Sequence, residues 1–323
     1  MDYKAPRGTK DILPGEVERW RQLEEQLRHY CRLYGYEEIR TPIFEHTELF
    51  ARNVGENSDI VSKEMYTFTD RSGRSLTLRP EGTAAVARAY LEHNLKDGPQ
   101  PVKIFYMGPM FRYDRPQTGR YRQFHQFGLE LFGSPQPIAD VEIIDLSYQF
   151  LQSLQIDDLT LELNSVGCPK CRPGFREELL GFLRPLAGEL CKDCSRRFAE
   201  NPLRALDCKD EHCRALMAKA PAITDHLCAD CAAHFEEVKA LLQRLSIPYR
   251  LNPRLVRGLD YYTRTTFEFI SGRAGAQSSL GGGGRYDGLV EQCGGPPTPG
   301  VGVAFGVERL LLAAGAGREQ QPE

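Results

Sequence analysis

The chain has 323 residues, a formal net charge of −3, 41% hydrophobic and 26% charged residues, values ordinary for a globular protein of one large or two smaller domains. No apolar run approaches the roughly 20 residues a membrane-spanning helix needs, and the opening MDYKAPRGTKDILPGE lacks the apolar stretch of a secretory leader. A cytoplasmic protein without a membrane partner is therefore expected, and in that compartment stable disulfides are rare, so the spacing of the ten cysteines matters more than their number.

Val17, Trp20, Leu23, Leu27, Cys31 and Tyr34 recur at helical spacing, which predicts a helix over 16–35 with Gly35 as its stop. The following EIRTPIFE reads as extended, with Pro42 confined to an edge or element end because it cannot donate to a ladder. Strands are predicted at 74–79, 102–107, 121–132, 159–163 and 265–270, and helices at 82–95 and 138–154. Alternation along 121–132 puts Phe124, Gln126, Gly128 and Glu130 on one face and His125, Phe127, Leu129 and Leu131 on the other. Residues 168–231 hold eight of the ten cysteines, many charges and little β-branching, and read as a small helical insertion. A glycine run at 281–284 reads as a loop, either one that brings backbone close to a ligand or one that is simply flexible. An apolar segment at 301–305 and a helix at 306–314 follow, and GAGREQQPE reads as a linker. Strands and helices interleave without a regular βαβ period, which predicts an α+β fold with a largely antiparallel sheet.

Residues 103–125 carry five Lys/Arg against one acid, a local balance of +4 inside a chain of net charge −3. A basic hairpin of this kind predicts a polyanion site. Arginine grips phosphate oxygens bidentately and stays charged. Arg112, Arg115, Arg120 and Arg122 are thus candidates for a triphosphate or a nucleic-acid backbone, and Phe124 for stacking on a base. The charges alone fit a solvated hairpin equally well, but Gln126 and Glu130 on a strand need partners if buried. In TLRPEGT (77–83), Glu81 can hold a ligand ammonium or simply favour a helix dipole.

LVRGLDYYTRTT (255–266) crowds Arg257, Asp260, Tyr261 and Tyr262; one adjacent tyrosine suits the core and the other a site, while a structural ion pair in a turn is the alternative. LGGGGRYDGL (280–289) is not a Walker-type phosphate loop. In GVGVAFGVERLLL (300–312), Arg309 is either a phosphate ligand or half of a surface pair with Glu308.

Among the cysteines, Cys168-x2-Cys171 and Cys191-x2-Cys194 have zinc-ribbon-like spacing, and Cys208-x4-Cys213 with Cys228-x2-Cys231 forms a second set. Eight thiolates suffice for two tetrahedral sites. Four paired spacings favour at least one structural zinc over reduced thiols packed in a helical domain.

Together these segments resemble class II aminoacyl-tRNA synthetases and, within them, the histidyl-tRNA synthetases. The first helix with EIRTPIFE looks like motif 1, which builds the dimer interface in the family; FRYDRPQTGRYRQFHQ looks like motif 2 and GVGVAFGVERLLL like motif 3. LVRGLDYYT and LGGGGRYDGL look like the two histidine-specific signatures, and PRGTKD and TLRPEGTA fit the same family. The resemblance runs from Pro6 to about Ala314. It implies a class II core at 1–166 and 251–323 around a helical insertion at 167–250 that lies near the tRNA acceptor arm. It implies ATP with Mg²⁺, histidine and tRNA(His) as partners, and a homodimer through motif 1.

The resemblance also implies roles for single residues. Arg112 would bind the α-phosphate, Phe124 would stack on adenine against Arg309, and Arg120 and Arg309 would hold the outer phosphates. Glu81, Thr83 and Gln126 would fix the histidine amino group. Glu130, Tyr262 and Tyr286 would surround the imidazole, with Arg257 between the histidine carboxylate and the α-phosphate. Arg115 and Gln117 would touch the tRNA acceptor end.

The family continues past motif 3 into an anticodon-binding domain of roughly a hundred residues. The chain is therefore expected to be a catalytic part or a shortened paralogue. The main paralogue is the regulatory subunit of ATP phosphoribosyltransferase, which binds histidine without charging tRNA. The presence of Arg112, Gln126, Glu130, Arg257, Tyr262 and Arg309 favours the synthetase. A non-enzymatic nucleic-acid-binding module is a third reading, opposed by the acidic total charge.

Overall fold

A computed structural model of the chain describes residues 3–55, 58, 60–208, 210–259, 261–274 and 278–316; Asp260 and most of the expected C-terminal linker lie outside them. In chain order the elements are α1 (Glu16–Leu33), β1 (Glu37–Glu38), β2 (Phe44–His46), α2 (Thr47–Val54), β3 (Tyr66–Thr69), β4 (Ser75–Leu78), α3 (Thr83–Glu92), β5 (Val102–Phe111), β6 (Gln123–Phe132), α4 (Pro137–Ser153) and β7 (Thr160–Ser165). There follow α5 (Arg172–Leu183), α6 (Lys192–Glu200), α7 (Glu211–Met217), α8 (Ala229–Arg244), β8 (Arg250–Leu251), β9 (Thr263–Ile270), β10 (Ser279–Arg285), α9 (Leu289–Gln292), β11 (Gly300–Gly306) and α10 (Val307–Ala316).

Eight strands form one sheet in the order β1-β5-β6-β11-β10-β9-β7-β8. The outermost pairs, β1 with β5 and β7 with β8, are parallel, and every pair between them is antiparallel. The α+β expectation holds, and β2, β4 and β3 add a small second sheet.

One face of the large sheet is covered by helices. Trp20, Leu23 and Leu27 from α1, Ile143 and Phe150 from α4, Phe235 and Val238 from α8, and Leu310 from α10 pack on Phe127, Leu129, Phe267, Phe269, Val303 and Phe305. The predicted alternation of β6 is observed, since Phe127, Leu129 and Leu131 enter this core while Phe124 and Gln126 line a cavity on the other face. Burial of such apolar side chains contributes roughly 1.5–3 kcal/mol each.

The glycine run is not a loop. Residues 281–284 are the middle of β10, paired on both sides. A Cβ on Gly283 would lie 1.9 Å from the Gly302 carbonyl oxygen. Glycine therefore allows strands β10 and β11 to approach where a side chain would separate them.

Within 172–217 the helices α5, α6 and α7 bury Phe175, Leu179, Leu183 and Met217 together with Cys194, Cys208 and Cys213. The same apolar cluster continues into Val256, Tyr261, Tyr262 and Tyr286. Helix α8 returns to the main core, where His234 Nε2 lies 3.4 Å from Asp140 Oδ2. Asp140 and Arg285 form a fully buried ion pair, and Arg285 also donates to the Ser134 carbonyl at 2.9 Å and the Gln136 carbonyl at 3.2 Å. Burial alone would raise the Asp140 pKa, but the Arg285 charge and His234 outweigh it and hold the carboxyl below its ordinary value. Among the described residues no helix is long and apolar enough to cross a membrane.

Candidate active site

The open face of the sheet forms the floor of a cavity of about 1110 Å³. Strands β6, β9, β10 and β11, the start of α10, the segment before β9, and residues 206–208 and 217 of the helical region all contribute to its wall.

Three guanidiniums gather at one end. Arg112 donates Nε to the Pro80 carbonyl at 2.7 Å and lies 5.3 Å from the centre of the Phe124 ring. Arg120 pairs with Asp114. Arg309 donates to the Gly119 carbonyl at 3.1 Å and to the Ser279 carbonyl at 2.9 Å. The Arg309 pKa is lowered by burial first, and then by the charges of Arg120 and Arg112. Burial likewise lowers Arg112, with Arg120 adding to the effect against the opposing charges of Glu64 and Glu81. Three cations that repel one another beside an aromatic ring form a preorganised receptor for several negative charges and a flat ring.

The other end is built for a smaller polar ligand. Arg257 Nη1 donates to Glu268 Oε1 at 2.8 Å, and Ser279 Oγ donates to the same oxygen at 2.6 Å. Burial opposes the Arg257 charge, but Glu268 and Tyr262 together hold its pKa above the ordinary value. Tyr261 and Tyr262 are both buried, with ring centres 4.7 Å apart. Gln126 lines the cavity with a buried Oε1 that has no hydrogen-bond partner among the described residues, an acceptor that a ligand N–H would satisfy.

Glu81 caps α3. Its two oxygens accept from the backbone amides of Thr83 at 2.7 Å and Ala84 at 3.0 Å. Burial raises its pKa, against the pull of those amides and of Arg112. Glu130 lies beneath the wall, accepting from Thr83 Oγ1 at 2.7 Å and from the Tyr286 hydroxyl. Burial pushes its pKa up to about 8, partly offset by Tyr286 and Thr83, while Glu81 raises it further.

The sequence of the chain matches the profile of the family described as Histidyl-tRNA synthetase over residues 8–310. This chain belongs to the histidyl-tRNA synthetase family. A histidine–tRNA ligase of Pelotomaculum thermopropionicum is 61% identical over 308 residues, covering 95% of this chain and 72% of that protein. The crystal structure of apo S. aureus histidyl-tRNA synthetase superposes with a TM-score of 0.78 at 45% identity, covering 97% of this chain and 73% of that one. A structure titled as an ATP phosphoribosyltransferase regulatory subunit/histidyl-tRNA synthetase from Bacillus halodurans C shares the fold, with a TM-score of 0.72 at 23% identity, covering 97% of this chain and 84% of that one.

In this member of the histidyl-tRNA synthetase family, Arg112, Arg120, Phe124, Gln126, Glu81, Thr83, Arg257, Tyr262, Tyr286 and Arg309 all line one cavity. Glu130 does not line it, and a direct bond from Glu130 to a ligand must share an oxygen with Thr83 or Tyr286. Arg115 and Gln117 are exposed in the loop between β5 and β6, away from the cavity wall. Arg122 turns from it altogether, lying 3.9 Å from the Tyr113 ring centre and donating to the Asp114 carbonyl at 3.2 Å. The surface pair Glu308–Arg309 does not form; Glu308 accepts from the His125 amide at 2.9 Å and from His125 Nδ1 at 3.0 Å.

Glu268 is the site residue that sequence reasoning missed. Its signal is a lone acid between Phe267 and Phe269 in a strand whose alternation puts both phenylalanines in the core and the acid opposite them.

The cysteines form two clusters, with pairing different from the sequence expectation. Cys168 and Cys171 meet Cys228 and Cys231, while Cys191, Cys194, Cys208 and Cys213 form the other group, the sulfurs of each set all within 4.8 Å of one another. The first and last pairs enclose the middle two because α8 folds back to the start of the helical region. Sulfur separations are 3.7 Å for Cys168–Cys171 and 3.9 Å for Cys168–Cys228 in the first cluster and 3.8 Å for Cys191–Cys208 in the second. A tetrahedron with zinc–sulfur bonds of ~2.3 Å has edges of ~3.8 Å. The Cys228 amide donates to Cys171 Sγ and the Cys191 amide to Cys213 Sγ, each at 3.2 Å. Such bonds favour thiolates. Burial would raise the Cys168 pKa, but the Lys170 and Cys171 amides and neighbouring cysteines bring it down to about 7, whereas burial and the neighbouring cysteines hold Cys194, Cys213 and Cys231 above the ordinary thiol value.

Proposed function

We propose that this chain joins histidine to ATP as histidyl-adenylate, releasing pyrophosphate, and then transfers the histidyl group to the 3′ end of tRNA(His). The observation that carries this is the convergence of Arg112 and Arg257, from distant parts of the chain, on one cavity that also holds Gln126 and Phe124.

In the first step a histidine carboxylate oxygen attacks the α-phosphorus and the bond to pyrophosphate breaks. The protein aligns the two and offsets the charge growing on the phosphoryl oxygens. We assign that charge to Arg112 and Arg257, neither of which needs to titrate. Adenine would stack between Phe124 and Arg309, and Arg120 and Arg309 would hold the outer phosphates. ATP enters as its magnesium complex; Glu268 and Asp114 are already paired with arginines, so phosphate oxygens and water suit the ion.

Histidine's ammonium would lie against Glu81, Thr83 and Gln126. Its imidazole would lie by Tyr262 and Tyr286, with Glu130 fixing the hydroxyls of Thr83 and Tyr286 behind them. Arg115 and Gln117 would reach the tRNA acceptor end.

The proposed division keeps 1–166 and 251–323 as the catalytic core and 167–250 as the insertion. Each cysteine cluster is proposed to hold one structural zinc, on the support of its sulfur spacing. A homodimer through the motif 1 region is supported by half-exposed Phe44 and Phe68 on the small sheet and Ile43 just before it, with Phe44 and Phe68 meeting edge to face at 6.3 Å. The proposed compartment is the cytoplasm, in keeping with ten free cysteines. Histidine-dependent exchange of pyrophosphate into ATP tests the reading. Absence of exchange together with stimulation of an ATP phosphoribosyltransferase would support the regulatory paralogue instead.

A further inference from the structure

The segment that carries Arg257 and Tyr262 is not held by secondary structure. The described residues of 256–262 lie outside every helix and strand. Polar backbone groups in such a place need other partners. Two of its carbonyls find them in the helical region. Arg172 donates to the Tyr262 carbonyl, and Arg204 donates to the Gly258 carbonyl.

Both arginines stand beside cysteine clusters. Arg172 directly follows Cys171 and opens α5. Arg204 lies in the 3-10 turn Pro202–Ala205, between Cys194 and Cys208 of the other cluster, and the neighbouring Ala205 and Leu206 pack with Cys194, Cys208 and Cys213. The link is reinforced from the core side. Arg254, just before the segment, donates to the Pro221 carbonyl at 2.7 Å, to the Ala218 carbonyl at 3.3 Å and to the Ala220 carbonyl. Gly258 adjoins Arg257, so the two insertion arginines grip the segment at both ends.

We propose that the two cysteine clusters, each closed by a thiophilic divalent cation such as zinc, act as tethers that hold Arg172 and Arg204 in place and thereby set the position of Arg257 and Tyr262. Through Tyr262 the insertion then sets affinity for histidine, and through Arg257 the rate of the phosphoryl step, while ATP affinity rests on Arg112, Arg120 and Arg309, which come from other elements. This rests on the histidine-activating reading above. Arg172 and Arg204 act through the backbone carbonyls of Tyr262 and Gly258 and are positioning residues.

The test measures histidine and ATP binding separately by calorimetry, alongside exchange kinetics and zinc content, for the whole chain and for Arg172→Ala, Arg204→Ala and Arg172→Lys. Loss of one charged donor is expected to weaken histidine about tenfold, with KM for ATP within about twofold and zinc content unchanged. Arg172→Lys keeps a charged donor without the guanidinium's planar fork and is expected to recover part of the loss. Stripping zinc with a chelator is expected to weaken histidine in the same selective way, and adding zinc back to restore it.

Equal weakening of both substrates, or unchanged histidine affinity in both alanine variants, overturns the tether. Unchanged histidine affinity in a zinc-free chain overturns the metal's part in it. Because binding is read without turnover, a wild-type chain that binds histidine but exchanges no pyrophosphate contradicts the catalytic reading, while the variants still decide the tether.

Discussion

Arg257 lies directly over Gly282: a Cβ on that glycine would sit 2.7 Å from Arg257 Nη1 and equally close to the Phe267 carbonyl oxygen. Strand β10 thus supplies a bare floor on which the guanidinium rests while Glu268 holds its edge at 2.8 Å.

Gly282→Ala is accordingly expected to displace Arg257 and lower histidine-dependent exchange on the order of a hundredfold. Circular dichroism should still report the native secondary structure. Near-normal exchange in a folded variant would contradict the close approach.

Much of this architecture was legible in the sequence. The period-2 pattern of β6 separated core from cavity because one residue in two is apolar and the others are not. Arg112, Arg257 and Arg309 were legible as residue types suited to phosphate, although their convergence was not. Residues 281–284 were misread because glycine carries no side chain from which periodicity can be taken. The cysteine pairs were grouped in sequence order, yet the return of α8 decides which pairs meet, and no local spacing encodes that. The pairings of Arg257 with Glu268 and of Asp140 with Arg285 likewise depend on strand order.

The Asp140–Arg285 pair gives a stability prediction. Asp140→Asn removes the fully buried carboxylate from the Arg285 guanidinium and leaves only the half-buried Asp287, 3.1 Å away, and exchange of one partner in a buried pair typically costs about 3–5 kcal/mol. Urea unfolding should report that loss. A change below about 1 kcal/mol would mean that Asp287 and the backbone carbonyls of Ser134 and Gln136 suffice for Arg285.

Glu130 gives a pH prediction. Its folded pKa of about 8 stands above the model-compound value of 4.5, so the folded state holds a proton that the unfolded chain releases. The stabilisation from that proton is complete below pH 4.5 and is lost as pH rises from 4.5 through 8. Glu130→Gln mimics the protonated form and removes this dependence. The fall in Tm between pH 5 and pH 9 is expected to be smaller in the variant than in the parent chain. Identical pH profiles would show that Glu130 titrates normally.

Serine substitutions test the nested cysteine pairing by metal count. Replacing Cys168 and Cys228 together should remove one zinc of two, because both belong to one cluster. Replacing Cys168 and Cys191 should remove both. The reverse pattern would support pairing in sequence order, and under half an equivalent of zinc in the parent chain would sink the metal assignment.

Arg257 is proposed to act on the reacting phosphoryl group at a histidine-activating site. The most direct test is histidine-dependent ATP–pyrophosphate exchange in the parent chain and in Arg257→Ala, with histidine binding measured in parallel. The parent chain should exchange, and the variant should lose roughly a hundredfold or more of the rate while keeping most of its histidine affinity. Near-normal exchange in Arg257→Ala, or none in the parent chain, would contradict the account.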